Sequence, residues 1–176
     1  MYLEVPDQDL TQGDIIDGIH LLGAIKLGAI QVTNNQQGEA VSWTIPAKPK
    51  LGQVMVLSHS CEIAKENNIK LTSIILAPIR GADTATSKDK LAELISSNIL
   101  TENTEASYLK YFYIEPHEKL SCSKDEYGGV VDFSKVFSVH KSALQSLEQN
   151  KTLQLQSHVA SAMALKCALY YHREAA

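Results

Sequence analysis

Along the first half of the chain, apolar positions come in short runs that alternate with polar ones or stop at glycine and proline. GDIIDGIHLLGAI (13–25) opens at a glycine turn and continues in isoleucine and leucine. AIQVT (29–33) alternates, NNQQG supplies turn residues, and AVSWTI (40–45) alternates again, with Val41, Trp43 and Ile45 opposite Ser42 and Thr44. This pattern predicts a β-hairpin near residues 29–45. PAKPKLG (46–52) breaks the run, because proline has no N–H to give to a ladder. VMVLSHS then predicts a strand buried on both faces at its start. CEIAKENN has room for one helical turn, and IKLTSIILAPI (69–79) is a β-branched strand stopped by Pro78.

The second half changes period. In SKDKLAELISSNIL (87–100), Leu91, Leu94, Ile95 and Ile99 stand at helical spacing, with Ser87 as the expected N-cap. YLKYFYIEP (108–116) predicts a strand with Tyr111 and Tyr113 opposite Phe112 and Ile114. VVDFSKVFSV (130–139) predicts another, broken or bulged near Asp132–Ser134. Residues 141–149 predict a short helix, and 153–174 a long one. In the long helix, Leu155, Val159, Ala162, Met163, Lys166, Leu169 and Tyr170 fall near one stripe. Short strands followed by a few helices predict an α+β fold around a small, strongly bent sheet or barrel. No internal repeat, low-complexity run or linker divides the chain.

Composition narrows the function classes. The chain has 176 residues, 44% hydrophobic and 20% charged, which suits a folded core. A net charge of -4 argues against a globally basic nucleic-acid binder and leaves a local basic patch open. The three cysteines, Cys61, Cys122 and Cys167, have no zinc spacing and read as free thiols of a reducing cytoplasm. No apolar run reaches the roughly 18 residues of a membrane span, and MYLEVPDQDL is not a signal peptide. A protein of the cytoplasm, without a membrane partner, is the expectation.

The chemistry concentrates in SHSCE (58–62), where an apolar strand delivers polar side chains to one end. In a strand, His59 and Cys61 share one face and Ser58 and Ser60 the other. Imidazole beside thiol suits either a nucleophile or two ligands of a metal, and Glu62 adds an acid or base. A closed metal site needs more ligands, and nothing in the spacing selects His117, Cys122 or His158 to supply them. The plainer reading is that small polar residues end a strand and cap the next turn. Asp14 is expected to tie down a loop, and Arg80, after Pro78, offers a fork of donors to phosphate or carboxylate. Tyr111, Phe112 and Tyr113 are candidates for base stacking, with packing as the alternative. On the last helix, His158 and Lys166 read as solvent-edge residues and Cys167 as core, while Tyr170 and Tyr171 pack the helix end.

Three segments in order, GDII (13–16), VMVLS (54–58) and IILAPI (74–79), resemble strands of the MazF/PemK toxin family. The resemblance implies a small SH3-like barrel, a dimer, an antitoxin partner and metal-independent endoribonuclease activity, without a cofactor. On that pattern the chain reads as one PemK-like domain with insertions at about 17–50 and 80–107 and a C-terminal helix at 153–173. SHSCE resembles a Ser-Gln-x-Cys-Asp ending of PemK-like proteins. The places of the family's catalytic arginine and threonine differ, reading KLGQ (50–53) and Arg80. Two readings follow. One is an RNA-processing enzyme with a reorganised site, with His59, Glu62 and Arg80 catalytic and Ser58, Ser60, Cys61 and Asp14 binding. The other is a non-catalytic barrel that binds a protein or nucleic acid. A cysteine or metal enzyme centred on His59 and Cys61 is a third.

Overall fold

The computed structural model describes residues 1–22, 31–34, 40–44, 49–63, 72–102, 104–122 and 127–174, with backbone alone for 22, 31–34, 40–44, 49 and 174. Its centre is an antiparallel sheet of β1 (Asp14–Leu22), β4 (Pro49–Val56), β5 (Ser73–Gly81), β6 (Tyr111–Ile114), β7 (Gly129–Asp132), β8 (Phe137–His140) and β9 (Lys151–Gln154). A separate hairpin pairs β2 (Gln31–Asn34) with β3 (Ala40–Thr44), as the alternation predicts. The helices are α1 (Ser60–Ile63), α2 (Leu91–Ser96), α3 (Leu144–Gln149) and α4 (Ser157–Glu174). The α+β expectation holds, and the sheet is curled.

β5 organises the sheet. One edge pairs with β4, from Val54↔Pro78 to Val56↔Leu76. The other edge pairs first with β8, from Ser73↔His140 to Leu76↔Phe137, then with β7, from Ile79↔Val131 to Gly81↔Gly129. β7 and β8 are consecutive in the chain, separated by the 3-10 turn Phe133–Lys135. The break predicted near Asp132–Ser134 is this turn. β1 curls as well. Its register to β4 shifts between Ile16 and Ile19, around Gly18 at φ +69. The other side of β1 pairs with β9.

Several boundaries differ from the sequence pattern for identifiable reasons. Pro49 does not exclude its segment from the sheet; it is the first residue of β4, where a ladder tolerates a missing N–H. Residues 153 and 154, expected to start the long helix, end β9 instead, because Leu153 pairs with Ile15 of β1. The segment from Ser87 to Ile99 holds a 3-10 turn and a six-residue helix, and Ser87 makes no side-chain capping bond. The parts of the predictions that fall on residues 23–30, 35–39, 45–48 and 64–71 lie outside the described residues.

Apolar side chains from both faces of the sheet build the interior. Ile15, Met55, Ala77, Phe112, Ile114, Val131 and Phe133 pack with Ala160 and Met163 of α4. On the other face Ile16, Val54, Val56, Ile74 and Leu76 pack with Leu10 and Leu147 of α3. Each such Val, Leu, Ile, Phe or Met side chain contributes about 1.5–3 kcal/mol when fully buried. Gly13 makes the α4 contact close. It sits at φ +90, and a Cβ there would come within 2.9 Å of Ala160 Cβ.

One buried ion pair fastens β1 to β9. Asp14 is 0% exposed, and Lys151 Nζ lies 2.8 Å from its Oδ2. Thr11 N–H donates to the same oxygen and Thr11 Oγ1 to the other. Lys151 also donates to the Asp9 carbonyl. Burial raises the Asp14 pKa, and the Lys151 and Thr11 hydrogen bonds oppose that rise. The expected role in tying down the loop is what the contacts describe. Lys151→Met is expected to cost about 3–5 kcal/mol in urea unfolding, because it leaves a buried carboxylate without its cation. A loss below about 1 kcal/mol would mean that the carboxyl is already neutral in the folded chain.

Candidate functional site

The polar end of β4 folds back on itself. Ser58 is buried, and its Oγ accepts the N–H of Ile75 at 2.8 Å, extending the β4–β5 contact beyond the last ladder pair. Ser60 Oγ accepts the N–H of Gln12 at 3.0 Å, and Gln12 Nε2 donates to the Leu57 carbonyl at 2.7 Å. Both serines therefore bind the chain's own backbone. His59, Cys61 and Glu62 remain exposed.

His59 Nδ1 lies 2.9 Å from Cys61 Sγ and also accepts the Cys61 N–H at 3.2 Å. The backbone bond decides the tautomer. A nitrogen that accepts an N–H carries no proton, so the ring proton sits on Nε2 and the thiol is the donor to Nδ1. The predicted imidazole–thiol pair is thus assembled, with the imidazole able to receive the thiol proton. The same local geometry recurs. His140 Nδ1 accepts the Ser142 N–H at 3.2 Å and lies 2.9 Å from Ser142 Oγ. His117 Nδ1 accepts the Lys119 N–H at 3.1 Å. A histidine turn cap is a repeated device here, and at residue 59 the capped residue is a cysteine.

Arg80 occupies a different place. Ser58 touches Ile75, and Arg80 stands five positions further along β5, roughly 16 Å away at strand rise. Its Nη2 lies 2.9 Å from Asp132 Oδ2 and donates to Tyr111 Oη at 3.1 Å. Asp132 is 1% exposed, and its Oδ1 accepts the N–H and hydroxyl of Ser134 at the β7–β8 break. The Arg80 contact has ion-pair distance without hydrogen-bond angles, so Oδ2 and Arg80 Nε have no hydrogen bond of their own. Lys110 Nζ sits 5.0 Å from the Tyr111 ring centroid and the Arg80 guanidinium carbon 5.6 Å from it. Asp132 carries no signal of this role in the sequence beyond standing at the predicted break.

The set proposed from sequence therefore divides. His59 and Cys61 meet. Glu62, adjacent in α1, makes no side-chain hydrogen bond or ion pair among the described residues. Arg80 serves the Asp132 corner, and Asp14 serves the β1–β9 contact. Tyr111, Phe112 and Tyr113 are buried, so they present no platform for bases. Among the described residues no three His, Cys, Asp or Glu side chains gather as metal ligands. No helix among them is long and apolar enough to cross a membrane. Comparison with protein-family models, with curated proteins and with solved structures returns no match.

The three thiols differ in environment. Burial pushes Cys122 and Cys167 up to about 11, whereas Cys61 is exposed beside its imidazole. A thiol at about 11 is ionised in roughly one molecule per thousand at pH 8. Iodoacetamide labelling followed by peptide mass spectrometry is expected to mark Cys61 first. His59→Ala is expected to slow Cys61 alone. Equal labelling of all three, or no effect of His59→Ala, would dismiss the base role.

Proposed function

We propose that this chain is an SH3-like barrel of the MazF/PemK kind that works as a protein-interaction module rather than as a ribonuclease. The observation that carries this reading is the commitment of Arg80. Metal-free ribonucleolysis needs a base, an acid and a cation converging on one phosphate. Arg80 is paired with Asp132, and the β5 register sets it far from His59 and Glu62. The buried tyrosines and the charge of -4 favour the same reading.

A docking face supports the positive half of the proposal. A surface helix ordinarily carries charge on its solvent side. From Ser157 to His172, the only Lys, Arg, Asp or Glu of α4 is Lys166, which is 0% exposed. The solvent side instead presents Leu165 at 61% and Leu169 at 39% exposure, alongside the exposed Ser161, Ala162 and Ala168. A two-fold axis through Leu165 would set it against the Leu165 of a second copy, with His158 against His172, Ala162 against Ala168 and Ser161 against Leu169. An isologous contact of this kind covers an uncharged face with itself, and a second copy is the occupant we assign.

Three measurements test the reading. An RNA cleavage assay is expected to show no cutting by the purified chain, with or without chelator. Cleavage that falls with His59→Ala or Arg80→Ala would overturn it and restore the ribonuclease. Light scattering is expected to give a dimer that Leu165→Glu converts to monomer, with a loss of about 2 kcal/mol or more for a central apolar contact. Arg80→Ala is expected to lower stability by about 3 kcal/mol by stranding Asp132, at the low end because Arg80 keeps a solvated edge.

A further inference from the structure

Lys166 lies inside the protein, where lysine almost never sits unless it is paired with an acid. Its residue exposure is 0%, among the most buried large side chains described. It reaches from α4 to the end of α2, where Nζ donates to Ser97 Oγ at 2.9 Å. Ser97 is itself 4% exposed, and its hydroxyl donates to the Leu94 carbonyl at 2.6 Å. The hydroxyl proton is thereby directed away, and a lone pair is left for the amine. This is the arrangement that a neutral amine or one edge of an ammonium accepts. An ammonium has three donors, and one neutral oxygen is its only hydrogen-bond partner among the described residues.

Among the described residues the surroundings offer no counter-charge. α2 presents the Ser97 hydroxyl, and α4 presents Cys167 next in sequence, itself a neutral thiol held up at about 11. Burial alone lowers the amine from 10.5 to about 7, and no carboxylate, imidazole or second cation contributes. Beyond Lys166, the helix end is held by apolar and neutral contacts. Tyr170 packs on Phe133 at 6.4 Å between ring centroids, and Tyr171 Oη donates to the Phe133 carbonyl at 2.7 Å.

We propose that Lys166 is a proton-controlled latch: α4 docks on α2 with its amine uncharged, and protonation loosens the C-terminal half of the helix. The sign follows from linkage. The unfolded chain holds the proton up to about 10.5, while the folded chain holds it only up to about 7. Opening therefore takes up a proton between those values, so stability climbs with pH across that window and is lowest below pH 7. The inference is independent of the interaction-module reading, because it concerns how α4 is seated and not what covers its outer side.

The test is a set of thermal melts from pH 6.5 to pH 9, with hydrogen exchange read by mass spectrometry. For the wild type we expect a Tm rise of roughly 5–10 °C over that range. Exchange in peptides from 163–174 should be faster at the acid end than base-catalysed exchange explains. Lys166→Met keeps the stem and removes the proton site, so its Tm should be higher at pH 6.5 and should not rise with pH, the two buried thiols lowering it slightly near pH 9. A slope that survives Lys166→Met overturns the latch. So does acid-enhanced exchange spread evenly over the chain. Should Lys166→Met fail to fold, NMR titration of the wild-type amine decides: a midpoint near 10.5 overturns the proposal, and one near 7 supports it.

Discussion

β5 must satisfy two different segments along one edge, and the curl of the sheet prevents a single straight strand from doing so. β8 pairs with the first half of β5 and β7 with the last part, and the chain between them steps out of the ladder at Phe133–Lys135. A step of this kind inside a core must satisfy its own polar backbone. Asp132 does so by capping Ser134, and Arg80, projecting from β5, balances the buried carboxylate. Phe133, thrown inward by the turn, becomes the contact for Tyr170 and Tyr171 at the end of α4. The seating of the last helix thus depends on where one strand is interrupted.

This dependence explains why the arginine and the imidazole–thiol pair do not form one centre. The pair follows β4 and lies near Ile75 at the start of β5, whereas Arg80 stands close to the end of β5. The residues near Ile75 extend the β4–β5 pairing and leave His59 and Cys61 at the surface, whereas Arg80 is drawn in by a carboxylate that needs it. A cation balancing a buried charge is poorly placed to release it for a passing phosphate, since that would strand the carboxylate. A structural need and a catalytic one would compete for Arg80, and its guanidinium is already engaged by Asp132.

Much of this architecture was legible in residue order, and what was not has a physical cause. The β2–β3 hairpin follows from alternation around NNQQG, and the interruption in 130–139 from Asp-Phe-Ser-Lys. The start of α4 was misread because Leu153 and Leu155 suit a helical stripe as well as a strand; only pairing with Ile15 decides for strand. Lys166 is the instructive miss. Its position on the apolar stripe with Met163 and Tyr170 was visible, but a lysine there reads as reaching solvent until the surrounding walls are known. The Arg80–Asp132 pairing was invisible because it joins residues that meet only through the β5–β7 register. Of the candidate site, the local His59–Cys61 pair was readable and the distant arginine was not.

Gly13 and Ala160 share one small volume between the opening turn and the last helix, each touching the other's Cβ position at the limit of approach. The left-handed backbone at 13 excludes a side chain there, and the neighbour at 160 excludes it a second time. A side chain at position 13 would therefore need α4 to move before it could be accommodated, which couples the opening turn to the final helix although they lie near opposite ends of the sequence.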